Sequence, residues 1–168
     1  MTTSTKKPSS EPRIYVWLVP GRLAVAERPG RGGRSHRRAL RDSETRWWRE
    51  QGVTTVVSGM RSRHGLIEYA LEGLAIRWAP LRDLDDDGPA QLRELVATAI
   101  DALEVTEGAV LVHCDRANEW LAAIDAALRV ALDLSEDVAG ALAAVQADGL
   151  PVGSIATALV GGTEASAP

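Results

Sequence analysis

The chain has 168 residues, of which 45% are hydrophobic and 25% charged, with a formal net charge of −4. That is the size and composition of one globular domain; it excludes collagen-like, mucin-like and wholly disordered chains, and the near-neutral balance leaves no electrostatic footprint for nucleic acid. No apolar run approaches the roughly 18 residues that cross a bilayer, and the polar N-terminus has no signal-like apolar stretch, so no membrane association is expected.

One cysteine, Cys114, and three histidines cannot build an intramolecular disulfide or a structural zinc centre. The expectation is a cytoplasmic chain with no metal and no cofactor. All but Lys6 and Lys7 of the 19 basic residues are arginine. Arginine matches planar oxyanions with two parallel hydrogen bonds, although the bias is read chiefly as that of a GC-rich bacterial genome.

In chain order, residues 1–12 are polar and read as a disordered tail. Residues 14–19 are β-branched, aromatic or aliphatic, Pro20-Gly21 is a turn signal and residues 23–26 resume the apolar pattern, which predicts a hairpin. A Gly/Arg-rich loop (28–38) carries Arg28, Arg31, Arg34, Arg37 and Arg38 without an acidic residue. It reads as a solvated loop, with a docking surface for acidic or phosphorylated partners as the alternative. Ser43-Glu44 predicts the start of a short helix stopped by Gly52, with one of Trp47 and Trp48 in the core and the other at the surface.

Residues 53–58 form a continuous β-branched run, the pattern of a strand buried on both faces of a parallel sheet. A loop (59–63), a short helix (66–71, stopped by Gly73) and a strand (74–78) follow. Pro80 opens a loop with Asp83, Asp85, Asp86 and Asp87, and Pro89 fits the first position of a helix striped by Leu92, Leu95, Val96, Ile100 and Leu103. Residues 109–112 predict another buried strand. The segment 113–120 then leads into a helix through about Leu132, where Trp120, Ile124, Leu128 and Ala131 share one face and Trp120 reads as core packing. Ser135 predicts the cap of a helix reaching Gln146, and a last short helix spans 154–160, followed by a frayed tail, 161–168. Strands alternating with helices predict an α/β three-layer sandwich with a mainly parallel central sheet, as one domain over 13–160.

Ligands of open α/β sheets bind beyond the carboxyl ends of the strands, which selects the loops 59–64, 80–88 and 113–119. The third runs from a buried strand into a helix, whose N–H groups and dipole suit an anion and favour a Cys114 thiolate nucleophile. Asp83 is placed to act as general acid, and Arg61 and Arg63 belong to the same edge. His113 reads as a structural histidine bonding nearby backbone. The aspartate run lacks clustered partners and is no metal site.

The succession Val-Leu-Val-His113-Cys114, loop, helix, preceded by Pro80-Leu81-Arg82-Asp83 and by Val19-Pro20-Gly21-Arg22-Leu23-Ala24, resembles the cysteine-based dual-specificity protein phosphatases. The resemblance implies a sheet of four or five strands flanked by helices, a phosphocysteine intermediate on Cys114 supported by His113, and Asp83 as general acid. The family signature is His-Cys, five residues, Arg, then Ser or Thr. Here the arginine position is Trp120, the hydroxyl position is Leu121, and Ala117 replaces a glycine. The missing arginine would hold the phosphoryl oxygens and stabilise the transition state, at a cost of about 10²- to 10³-fold in rate when lost.

Asp115 and Glu119 further place carboxylates in or beside the loop, with Glu119 expected to satisfy the helix N-terminus in place of phosphate. The candidate binding residues are thus Asp115, Arg116, Ala117, Asn118, Glu119 and Trp120, with Arg61 and Arg63. The leading expectation is a catalytically impaired, pseudophosphatase-type module that binds a protein or phosphorylated partner through a loop that is formed but blocked. An open, phosphate-sized cup at Cys114 counts heavily against that leading reading. The alternative is an active but atypical cysteine phosphatase with an arginine borrowed from another loop; a third reading is a structural accessory domain without a ligand.

Overall fold

The computed structural model describes residues 11–30, 38–82, 87–115 and 118–164. Strands β1 (Tyr15–Val19) and β2 (Leu23–Glu27) form the antiparallel hairpin expected around Pro20-Gly21. Gly21 has φ 71°, a left-handed backbone that a side chain would strain. Strands β3 (Val53–Ser58), β4 (Ala75–Trp78) and β5 (Ala109–Cys114) complete a five-stranded sheet of order β1-β2-β5-β3-β4, parallel in every pair but β1 with β2. The mainly parallel sheet flanked by helices is the architecture expected from the alternation of elements.

The helices are α1 (Arg38–Glu50), α2 (Leu66–Leu71), α3 (Gly88–Val105), α4 (Glu119–Ala131), α5 (Val138–Ala147) and α6 (Ser154–Glu164). Strand pleating divides them between two cores. Val110, Val112 and Cys114 of β5 face a cluster supplied by α3, α4, α5 and α6, including Leu95, Ile124, Leu128, Val145 and Leu159. Ala109 and Leu111 face a smaller cluster with Trp48 of α1 and Tyr69 of α2. Every residue of α4 from 121 to 128 is buried, because sheet, α5 and α6 surround it. Arg22 closes the far end of the molecule: its guanidinium donates to the carbonyls of Leu103, Thr106, Glu107 and Gly108 at 2.6–2.9 Å, capping the C-terminal end of α3.

Element boundaries differ from expectation by more than one residue at four places. Helix α1 begins at Arg38 rather than Ser43. Its extra turn is held by the Thr45 hydroxyl donating to the Arg41 carbonyl within the helix (2.8 Å) and by the Arg41–Glu68 ion pair to α2, a contact between elements that no local signal reports. Strand β5 runs on through His113 and Cys114, since β2 pairs alongside it as far as Glu27 opposite Cys114. Asp137, not Ser135, caps α5, its Oδ1 accepting from the Gly140 N–H at 2.7 Å. Helix α6 continues to Glu164, with Arg93 of α3 donating to the Gly162 carbonyl (3.0 Å), so residues 161–164 are helix rather than tail.

Trp48 is fully buried, while Trp47 is half-buried and edge-on to Tyr15 at 4.8 Å. Ala131 is exposed, leaving the apolar face expected of α4 to Ile124 and Leu128. Among the described residues no helix is long and apolar enough to cross a membrane, and no three His, Cys, Asp or Glu side chains gather as metal ligands.

Candidate active site at the end of strand β5

Three strand-end loops are laced together at the carboxyl edge of the sheet. The Gly59 N–H donates to the His113 carbonyl (2.8 Å), the Leu81 N–H donates to the Gly59 carbonyl (3.1 Å), and the Arg28 N–H donates to the Cys114 carbonyl (3.1 Å). Gly59 suits this crossing because a Cβ there would lie 3.3 Å from both the His113 oxygen and Leu95 Cδ2. The loop before α3 is fixed in turn by the Arg82 N–H donating to Gln91 Oε1 at 2.6 Å.

The lacing leaves a cleft of about 240 Å³ lined by Gly59, Arg61, Leu81, Arg82, Cys114, Asp115, Asn118 and Trp120. Cys114 forms part of its wall although only 4% exposed. Among the described residues the cleft beside Cys114 is not filled, so the expected blockage is not seen there; residues 116 and 117 of the loop lie outside them. Asn118 caps α4, its Oδ1 accepting from the Trp120 N–H at 3.0 Å. Trp120 is half-buried: one part packs on the larger core and another lines the cleft, which corrects its reading as core packing alone. Leu121, next along, is wholly buried in the core.

Of the residues singled out from sequence, Cys114, Asp115, Asn118, Trp120 and Arg61 therefore meet at the cleft. Asp83, Arg116 and Ala117 lie outside the described residues. Arg63 is not in the cleft; its guanidinium carbon sits 4.4 Å from the Trp78 ring centroid. Arg82, absent from the candidate list, lines the cleft, and Arg28 lies 3.5 Å from the carboxylate of Asp115, one of the lining residues. Both groups of that pair are well exposed, so it contributes under about 1 kcal/mol.

His113 points the other way. Strand alternation sends its fully buried imidazole to the face opposite Cys114, with ring centroids 5.6 Å from Tyr69 and 6.0 Å from Trp48. Burial, assisted by the Arg28 charge, pushes its pKa down to about 3. It is a neutral core group at physiological pH, and a hydrogen bond with the Cys114 backbone opposes part of that lowering.

Glu119 also leaves the site. Its Oε1 accepts from the N–H groups of Ile155 and Ala156 at 3.2 and 3.3 Å, so it caps the N-terminus of α6 and does not occupy the anion position of α4. Gly153 makes room for it, since a Cβ there would collide with the carboxylate. Glu119→Ala is expected to lower stability by about 1 kcal/mol, read as a reduced midpoint in urea unfolding, and to leave anion binding in the cleft unweakened. A variant as stable as the parent would remove Glu119 from the capping role.

No protein-family model matches the sequence, and no curated protein matches it. Solved structures do match the fold. Human DUSP28 is 20% identical with a TM-score of 0.65, covering 93% of this chain and 98% of that one. TpbA of P. aeruginosa is 19% identical with a TM-score of 0.67, covering 96% and 98%. A mouse protein assigned as a dual specificity phosphatase, solved with zinc tungstate, is 18% identical with a TM-score of 0.66, covering 99% and 93%. The likeness runs over nearly the whole of each chain, and this chain has the dual-specificity phosphatase fold, a mainly parallel five-stranded sheet flanked by helices.

Proposed function

We propose that this chain is a catalytically impaired phosphatase-fold module, cytoplasmic and bacterial, that binds a phosphorylated protein partner at the Cys114 cleft. The observation that carries the reading is the composition of the cleft wall: Arg61 and Arg82 supply cations, while Trp120 stands six residues after the cysteine, where the family's signature places its arginine. An open cleft with cations holds an oxyanion; without a bidentate clamp built into the loop, it loses about 10²- to 10³-fold of the transition-state stabilisation. Impairment then comes from missing groups, Trp120 for arginine and Leu121 for a hydroxyl, and not from obstruction.

The open cleft also favours a second reading, an atypical cysteine phosphatase in which Arg61 or Arg82 serves as the clamp. Release of nitrophenolate from an aryl phosphate separates the two. The binding module gives the same background rate for the wild type and Cys114→Ser, while tungstate binds measurably by calorimetry. Turnover that disappears in Cys114→Ser establishes the phosphatase instead, and absence of any oxyanion binding defeats both.

A further inference from the structure

Trp78 closes β4 beside the cleft without entering it. Its Nε1 donates to the Met60 carbonyl (2.7 Å), which fixes the indole, and the guanidinium carbons of Arg63 and Arg82 lie 4.4 and 5.8 Å from its ring centroid. Arg82 belongs at the same time to the Cys114 cleft. Arg63 and Trp78 belong to a second hollow, of about 450 Å³, whose other walls are Leu66, Ile67, Ala70 and Ile76 of α2 and β4. Cleft and hollow are therefore neighbours across one ridge of indole and arginine.

The two sides of the ridge differ in chemistry. The hollow is mainly apolar, Ile67 on its rim is 67% exposed, and Leu71 of the same helix is 79% exposed. The ridge is cationic: neither Arg63 nor Arg82 has an ion-pair partner among the described residues, and the nearby Glu68 is engaged by Arg41. A segment that satisfies all three regions carries a phosphate, acidic residues and an apolar anchor.

We propose that cleft, ridge and hollow form one docking surface for a phosphorylated protein segment, with the phosphoryl group at Cys114, acidic residues across Arg82 and Arg63, and an apolar side chain in the α2/β4 hollow. The proposal rests on the binding reading given above and adds to it what the partner must contain.

The test is fluorescence anisotropy with labelled phosphopeptides in which a single leucine is moved stepwise along an acidic segment beyond the phosphoresidue, each compared with its serine counterpart and its unphosphorylated form. One leucine register is expected to bind about tenfold more tightly than the serine peptide, the effect of burying one aliphatic side chain. Ile67→Glu should abolish that difference and leave tungstate binding unchanged; Arg63→Glu should weaken every acidic peptide. If leucine and serine peptides bind equally while phosphorylated forms still exceed unphosphorylated ones, the docking surface is overturned and the cleft reading stands. If phosphorylation makes no difference, the cleft reading falls and takes the docking surface with it. A dimer in solution that Ile67→Glu dissociates assigns the hollow to a second copy of the chain and also overturns the proposal.

Discussion

Replacing Arg129 with alanine is expected to destabilise the fold by about 3–5 kcal/mol at neutral pH, because it leaves a buried carboxylate uncompensated. Asp125 sits in the middle of α4 with no exposed surface, and its Oδ1 accepts from Arg129 Nε at 2.6 Å. The same guanidinium reaches Asp148, at the end of α5, also at 2.6 Å. Burial raises the Asp125 pKa, Arg129 pulls it down and Asp148 pushes it up again, for a net upward shift.

The sign of the pH dependence follows from that shift. A carboxyl whose folded pKa exceeds its unfolded value binds its proton more tightly in the folded state, so stability falls as pH rises through the two values and returns on acidification. Without Arg129 the folded pKa climbs further. The deficit of Arg129→Ala should therefore shrink as pH is lowered from neutral toward the carboxylate range, and adding Asp125→Asn should recover most of it at neutral pH. Denaturant titrations at two pH values provide the measurement. A deficit that is small, or constant with pH, would show that the ion pair is not what keeps Asp125 buried.

The fold was legible where local chemistry decides it. Strand β3 and helix α2 occupy the expected residues because Gly52 (φ 89°) and Gly73 (φ 84°) stop the helices before β3 and β4. Legibility failed where two local signals were equivalent or where the deciding contact came from far along the chain. Ser135 and Asp137 are both good helix caps, and only the geometry at Gly140 chooses between them. The first turn of α1 depends on Glu68, and the last turn of α6 on Arg93.

The candidate site divides in the same way. Position relative to a strand end located Cys114, Asp115, Asn118 and Trp120, and the same rule located Arg61. It could not assign side-chain direction. Arg63 and Arg82 both approach Trp78, yet only Arg82 turns into the cleft, and Glu119 leaves for a helix that begins 35 residues later at Ser154. His113 was foreseeable in one respect: alternation along β5 places it opposite Cys114 once the strand is known to include both.

Trp120→Arg is the substitution with the largest expected effect on chemistry, and the structure shows why it should be made alone. Trp120 is half-buried at the rim, in the first turn of α4, so an arginine there can keep its stem against the core and turn its guanidinium into the cleft. Leu121 has no exposed surface, and shortening it to serine forfeits about 2–5 kcal/mol in the core.

With a bidentate clamp restored, attack of the Cys114 thiolate on an aryl phosphate forms the S–P bond as the aryl P–O bond breaks and the aryl oxide leaves with the electron pair. That step is expected to accelerate by about 10²- to 10³-fold over the parent. The hydroxyl is still missing at position 121, so release of phosphate from the cysteine stays slow, and the variant should show a stoichiometric burst of nitrophenolate followed by little turnover. Mass spectrometry of the quenched protein should find the phosphate on Cys114, and Cys114→Ser should abolish both signals. A folded Trp120→Arg variant with neither burst nor adduct would mean that an arginine at position 120 does not make the cleft catalytic.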